Sequence, residues 1–307
     1  VTPVGYVDHA LALAARGDIT VATFGDLVRV PGSVRPDEPD APRTLAEARG
    51  RGADVRVVYS PLDALELARA ERDRPVVFLG VGFETTAPAL AGSIRTAARE
   101  GLARYTMLVA AKTVPNALEL LAGSAELGLD GFLMPGHVSV VLGTDVYRPL
   151  VEKHRMPCAV AGFEPVEMLR GIASLVEQCR EGRARIDNCY PGAVRPEGNP
   201  RARAAAAEVF APCDSVWRGL GTIPLSGLEI VERFAEHDAA RRFEVELPPP
   251  VEPRGCRCGE VLQGTLDPAD CPLFGRECTP EQPVGACMVS SEGSCAARYA
   301  YGDEVTR

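Results

Sequence analysis

The chain has 307 residues, of which 46% are hydrophobic and 24% charged, and its formal net charge at pH 7 is -9. This length and composition are typical of a globular protein of two or three domains and exclude a disordered chain. Its 33 basic residues are scattered along an acidic chain rather than gathered into blocks, so nucleic-acid binding is disfavoured.

From Gly5 to about residue 180, short valine-rich runs alternate with helical patterns, which is typical of a parallel sheet with crossover helices. The candidate strands span residues 19–24, 55–59, 75–81, 106–111, 131–134 and 158–162. The loop at 31–44 is long and rich in proline and charge, which indicates two such units. We therefore predict an α/β fold with a first domain over residues 1–62 and a second over 63–235.

The last third of the chain has a different character. The segment PRARAAAAEVF predicts one more helix, and DSVWRGLGTIPLSGLEI predicts extended structure in which the lone Trp217 serves packing. A proline-rich break at 246–255 marks the last boundary. Beyond it we predict a small Cys-rich domain over residues 248–307.

No stretch approaches the roughly 20 apolar residues that a spanning helix needs. The first residues, VTPVGYVDHALALAARGD, lack the basic and apolar regions of a secretory signal. We therefore expect a cytoplasmic protein without a membrane partner.

Three segments share a pattern in which a strand ends and polar residues open the next helix: VVFLGVGFETTAP, FLMPGHVSVV and AVAGFEPVEML. The carboxyl ends of parallel strands line the ligand crevice of such sheets, and helix starts favour anions. The candidate site residues of these junctions are Glu84, Thr85, Thr86 and His137. A helix-capping role is the alternative for Thr85, Ser139 and Glu164.

Six of the ten cysteines fall in the last quarter of the chain, at Cys256, Cys258, Cys271, Cys278, Cys287 and Cys295. In a cytoplasmic chain of this size, such crowding indicates metal or redox chemistry rather than a disulfide framework. The gaps after Cys258 are 12, 6, 8 and 7 residues, which lack the paired knuckles of a structural zinc site. Soft thiolates suit an iron-sulfur cluster or zinc, and unligated thiols are the third alternative.

Several of these motifs resemble the HypD family in order and spacing. They are FGDLVRVPGS, GADVRVVYSPLDAL, GFETTAP, PGHVSVVLG, AGFEPVEMLRG, WRGLG and the tail from CGEVLQG to EGSCAARY. The resemblance covers essentially the whole chain, and the tail and the GFETT and PGHVS motifs are its most specific parts. The family provides iron-sulfur scaffolds that help to build the cyanide- and carbonyl-bearing iron centre of nickel-iron hydrogenases.

The resemblance implies two α/β domains around a cleft and a third domain that holds a [4Fe-4S] cluster. Carried over residue by residue, the cluster ligands are Cys258 of CGEV, Cys271 of CPLFG, Cys278 of CTP and Cys295 of EGSCAA. Cys256 and Cys287 do not fall on ligating positions. They would be spare thiols or would take part in thiol exchange beside the cluster.

The resemblance also implies partners and a cargo. With a HypC-like small chaperone, the chain would carry a transient iron that acquires two cyanides and one carbon monoxide, the cyanides arriving through a HypE-like donor. Glu84, Thr85, Thr86 and His137 would line the cleft near that iron.

One departure from the family concerns the start of the chain. The family pattern has a CGGHTH-like and a GPGCPVC-like motif, whose cysteines are the expected iron ligands, upstream of the first residue here. Neither motif occurs in the sequence, which begins with VTPVG and has no initiator Met. We therefore expect a truncated sequence that is inactive as a fragment while its parent protein functions.

Two hypotheses from other functional classes are alternatives to a HypD-like scaffold. In the first, the tail is a structural zinc site of an α/β binding module, which a chelator would unfold. In the second, the chain is a cluster-bearing thiol/disulfide oxidoreductase in which Cys287 is the reactive thiol.

Overall fold

The computed structural model describes residues 2–302 except 36, 37, 39, 72 and 126. Its first unit contains a four-stranded parallel sheet of order β2-β1-β3-β4. Its elements are α1 (Val4–Ala15), β1 (Thr20–Thr23), α2 (Leu45–Gly50), β2 (Val55–Val57), α3 (Pro61–Ala70), β3 (Val76–Gly80), α4 (Ala87–Arg99) and β4 (Tyr105–Val109). The strand order reverses between β1 and β3, which makes this position the topological switch point of the sheet.

Both faces of the first sheet are covered by helices, which explains why β1, β3 and β4 are largely apolar and buried. On one face, Phe78 belongs to a buried cluster with Leu90 and Ile94 of α4. On the other face, Val77 belongs to a cluster with Leu13 of α1. Successive residues of β3 therefore anchor opposite helical layers.

A second parallel sheet follows, with the strand order β5-β6-β7. Its elements are α5 (Val114–Ala122), β5 (Phe132–Pro135), α6 (Gly136–Leu142), α7 (Arg148–Glu152), β6 (Cys158–Ala161), α8 (Pro165–Glu181) and β7 (Ile186–Asn188). Met134, Tyr147, Leu150 and Val160 form part of its core. The predicted α/β class and all six predicted strands, β1 to β6, are confirmed.

The chain then returns to the first sheet. The elements of the return are α9 (Pro200–Val209), β8 (Phe210–Trp217), β9 (Gly221–Ile230) and α10 (Ala239–Arg242). β8 and β9 form an antiparallel hairpin, and Phe210 and Ile230 at its base join the core cluster that contains Phe78. The predicted helix and extended segment of this region are thus both present.

The sheet pairing corrects one expectation about domains. A boundary between residues 62 and 63 would cut the first sheet, because β1 and β2 precede it while β3 and β4 follow it. The change of sheet lies instead between β4 and β5. Sequence alone missed this because the long loop at 31–44 connects two neighbouring strands of one sheet.

The Cys-rich tail has little regular structure. Its helices are α11 (Cys258–Leu262) and α12 (Ser294–Tyr301), with single 3-10 turns at Pro268–Asp270 and Ala286–Met288. Leu273, Met288 and Ala296 form its small apolar core together with buried cysteines. Among the described residues, none of the helices combines the length and the apolar character needed to cross a bilayer.

Candidate functional site

The GFETT loop, residues 82–86, leaves the carboxyl end of β3 beside the switch point of the first sheet. Gly82 has a φ of +133°, and a Cβ at this position would lie 2.6 Å from Oγ1 of Thr86. Only glycine adopts such a backbone readily. The loop therefore has a fixed shape at the place where doubly wound sheets bind their ligands.

Glu84 is the buried acid of this loop, with 6% of its surface exposed. Its Oε1 accepts a hydrogen bond of 2.8 Å from the N–H of Val114, whereas its Oε2 has no hydrogen-bond partner among the described residues. Burial raises the pKa of this carboxyl to about 7. Glu84 therefore exchanges a proton near neutral pH through one unengaged oxygen.

The two threonines of the loop differ in position. Thr85 is exposed, and Thr86 occupies the N-cap position of α4 without a side-chain capping hydrogen bond. The capping role considered for Thr85 is therefore wrong. Within the described part of the chain, neither hydroxyl has a hydrogen-bond partner, so both remain able to bind a ligand.

His137 lies in the first turn of α6, at the carboxyl end of β5, and is exposed. Its ring packs 4.6 Å from the ring of Phe163, which follows β6. In the region that the structure describes, no hydrogen bond joins His137 to Glu84, Thr85 or Thr86. The four predicted site residues therefore lie at the ends of strands from both sheets rather than in direct contact.

The capping alternatives for the other two junctions have opposite outcomes. Glu164 does occupy the N-cap position of α8, and its N–H donates to Oε2 of Glu167 at 3.4 Å. Ser139 instead lies inside α6 and donates its hydroxyl to the carbonyl of Pro135 at 3.0 Å. Its Oγ also lies 3.0 Å from the hydroxyl of Tyr147. Ser139 thus belongs to a buried polar pair.

This pair extends towards the GFETT loop. Burial raises the pKa of Tyr147 to about 12, and the nearby carboxylate of Glu84 acts in the same direction. The loop after β3 and the helix after β5 therefore share one buried polar region. The carboxyl of Glu84 and the hydroxyl of Tyr147, both in buried residues, lie within electrostatic range of each other.

The hairpin tip between β8 and β9 closes one side of the GFETT loop. The ring of Trp217 lies 6.1 Å from that of Phe83, and its Nε1 donates a 2.7 Å hydrogen bond to Oγ of Ser226. Trp217 is 5% exposed, which confirms its predicted packing role. At the other end of the loop, the ammonium of Lys112 donates to Ser215 and to the carbonyl of Val216.

The second candidate centre is a small cavity in the tail. All six cysteines of the tail line it, together with apolar side chains that include Val261, Leu273, Phe274 and Met288. None of these six cysteines forms a disulfide, and Cys258 and Cys278 are buried. Cysteines spread over 40 residues of sequence thus line one cavity, three of them from short helical elements and three from irregular backbone.

Four of these thiols form a chain of contacts. Cys256 interacts with Cys258, Cys258 with Cys287, and Cys287 with Cys295. A hydrogen bond from the Cys287 thiol lowers the pKa of Cys295, which lies in the first turn of α12. Cys271 and Cys278 lie within electrostatic range of Cys295 and complete the set.

The donor chemistry of this cavity fits an iron-sulfur cluster. Its polar lining consists of sulfur alone, and thiolates are the ligands of such clusters. In the ranges that the structure describes, no three Cys, His, Asp or Glu side chains converge as ligands of one metal ion. The predicted ligands Cys258, Cys271, Cys278 and Cys295 all line the wall.

Cys256 and Cys287 do not fall on the ligating positions that the resemblance implies, yet both line the same cavity as the other four cysteines. The Sγ of Cys256 lies against Gly285, at 2.7 Å from where a Cβ of that glycine would be. Cys287 contacts Cys258 and Cys295. Only their position within the Cys-rich tail indicated this, because one-residue and eight-residue gaps do not define a contact.

Comparison with known proteins relates the whole chain to one family. The family model described as "HypD: Hydrogenase formation hypA family" matches residues 1–302. The chain is 44% identical over 308 residues to a hydrogenase maturation factor HypD of Azotobacter vinelandii, covering 98% of this chain and 79% of the relative. It is 45% identical to the HypD of Rhodobacter capsulatus and 41% identical to that of Escherichia coli K12, with the same two coverages.

Proposed function

The chain belongs to the HypD family of hydrogenase maturation factors, and we propose that it is the scaffold on which the diatomic-bearing iron of a nickel-iron hydrogenase is assembled. The iron is cargo, which acquires two cyanides and one carbon monoxide. A HypC-like small chaperone shares the scaffold, and a HypE-like protein donates the cyanides. The assembly takes place in the cytoplasm.

The observation that carries the proposal is the convergence of six thiols on one apolar cavity. Cys258, Cys271, Cys278 and Cys295 would hold a [4Fe-4S] cluster there. When bound, such a cluster supplies one-electron redox chemistry. Leu273 and Met288 are buried and give the cavity an apolar wall, which would lower the access of solvent to a bound cluster.

The chain's own polar groups would act at the GFETT loop. The free Oε2 of Glu84 can hold or release a proton near neutral pH, because burial raises the pKa of its carboxyl to about 7. The hydroxyls of Thr85 and Thr86 offer hydrogen bonds to small anionic ligands such as cyanide. His137 stands at the opposite strand end, where a partner or the cargo can reach its exposed ring.

The first experiment is metal analysis of anaerobically purified chain, with ultraviolet-visible absorption. The proposal predicts a brown protein with about four iron and four sulfide per chain, which Cys271→Ala loses. Cys179→Ala is the matched control, because Cys179 is exposed and lies in α8, far from the tail in sequence. An unchanged iron content in Cys271→Ala would overturn the ligand assignment.

Metal analysis together with a disulfide-reduction assay separates the two alternatives. A colourless protein with stoichiometric zinc would favour the zinc-stabilised binding module. A brown protein that reduces a disulfide substrate without a HypC-like partner, and loses that turnover in Cys287→Ala, would favour the oxidoreductase. The contact of Cys287 with two other thiols is the observation that keeps this third candidate open.

A further inference from the structure

Arg218 is the most deeply buried cation of the described chain. It follows Trp217 at the tip of the β8–β9 hairpin, and its side chain is 1% exposed. A buried guanidinium loses its hydration, and its charge must be balanced by hydrogen bonds and by a nearby anion.

The hydrogen bonds of Arg218 join three parts of the chain. One terminal nitrogen donates to the carbonyl of Pro31 in the loop after β1, at 3.0 Å, and the other to the carbonyl of Val284 in the tail, at 3.4 Å. Its Nε has no hydrogen-bond partner among the described residues. Arg218 therefore fastens the tail to the first α/β unit while one of its donors stays unused.

The charge of Arg218 is poorly balanced by carboxylates. Glu252 lies in its neighbourhood, but their closest approach is 3.5 Å and the glutamate side chain is 57% exposed. Solvent screens such a partner strongly. The two carbonyls satisfy N–H groups but carry no net charge, so the buried cation still needs an anion.

The anions in reach are the thiolates of the tail. The guanidinium lies within electrostatic range of Cys256 and Cys258. The neighbouring Gly219 touches the tail itself, because a Cβ there would lie 3.0 Å from Sγ of Cys258 and 3.0 Å from the backbone nitrogen of Gly259. The absence of a side chain at Gly219 lets the hairpin tip approach the cavity.

We propose that Arg218 is the positioning residue of the cysteine cavity: it docks the tail on the α/β body and supplies the buried positive charge that balances the cluster thiolates. This inference rests on the proposed function. A fixed cation beside the cluster stabilises its reduced form, which carries one more negative charge, relative to its oxidised form. Arg218 therefore raises the reduction potential of the cluster.

The test is a redox titration, followed by electron paramagnetic resonance, of the cluster-loaded protein as wild type, Arg218→Gln, Arg218→Lys and Arg257→Gln. Arg218→Gln should lower the potential, and Arg218→Lys should stay near wild type because it keeps the charge. The matched control, Arg257→Gln, removes a charge between the same two cysteines. Arg257 is exposed and paired with Glu260, so its removal should change the potential little.

A second readout measures docking. Val284 loses its donor in Arg218→Gln, so trypsin should release the tail faster by cleavage in the proline-rich segment at 246–255 than it does in Arg257→Gln. A role restricted to docking would accelerate this cleavage in both Arg218 variants and leave the potential of each at the wild-type value. That outcome would overturn the electrostatic part of the proposal.

The remaining outcomes are also decisive. If Arg218→Gln takes up no cluster, Arg218→Lys decides: a wild-type potential supports the proposal, and a lowered potential overturns it. If neither variant takes up a cluster while Arg257→Gln does, cluster uptake requires the hydrogen bonds of the guanidinium. The proposal that Arg218 acts through its charge is then overturned. If wild type itself takes up no cluster, the proposed function fails rather than the role of Arg218.

Discussion

The stability of the chain should depend on pH through the buried acid of the GFETT loop. Burial raises the pKa of Glu84 from an ordinary value of 4.5 to about 7 in the folded chain. Between these two values the folded state holds a proton that the unfolded state has released. The free energy of unfolding therefore falls as pH rises through this window, and the contribution of Glu84 is lost above the folded pKa.

The magnitude follows from the two pKa values. Each unit of pKa difference is worth about 1.4 kcal/mol, so the contribution of Glu84 falls by about 2.5 kcal/mol between about pH 5 and about pH 8. Glu84→Gln keeps an acceptor for the N–H of Val114 but does not ionise. The variant should match wild type near pH 5 and be more stable than wild type by about 2.5 kcal/mol near pH 8.

The measurement is urea unfolding of both proteins at the two pH values. Glu164→Gln is the matched control, because Glu164 follows the same glycine-phenylalanine pair but is exposed at the N-cap position of α8. Its difference from wild type should be the same at both pH values. If the difference between Glu84→Gln and wild type is also independent of pH, the carboxyl of Glu84 is ionised in the folded state and the reasoning is refuted.

Two further substitutions test the geometry around this acid. Gly82→Ala should cost about 1–3 kcal/mol in thermal or urea unfolding, because a Cβ at this φ meets Thr86; Gly92→Ala, in α4 with open space around it, should instead stabilise by about 0.5–1 kcal/mol. Tyr147→Phe should cost about 1–2 kcal/mol in the same assay, because it removes the hydroxyl beside Ser139, and an unchanged midpoint would show that this polar pair does not contribute.

The parts of the fold that could be predicted are those with a strong local signal. The runs that became β1, β3 and β4 are buried at nearly every residue, and their sequences are largely apolar with no charged residue. β7, with the sequence IDN, was missed because it has three half-buried residues of which two are polar. Its place in the sheet depends on pairing with β6, which no local pattern encodes.

The candidate site likewise has features that the local sequence could predict and features that it could not. The strand-end position of Glu84 could be predicted because the sequence VVFLG reads as a buried strand that stops before a polar group. Its burial could not, since this depends on the segment around Val114 and on the hairpin, which are distant in sequence. The convergence of Cys256 and Cys287 with the other thiols is likewise a tertiary contact across irregular backbone.

The motif WRGLG links the two candidate centres. Trp217 is the last residue of β8, and Arg218 is the first residue of the turn that follows. Trp217 packs against Phe83 of the GFETT loop, whereas Arg218 lies within electrostatic range of Cys256 and Cys258. A single hairpin tip therefore contacts the loop with one side and the cysteine cavity with the other. Because both contacts are buried, a change that displaces this tip should perturb the GFETT loop and the tail together.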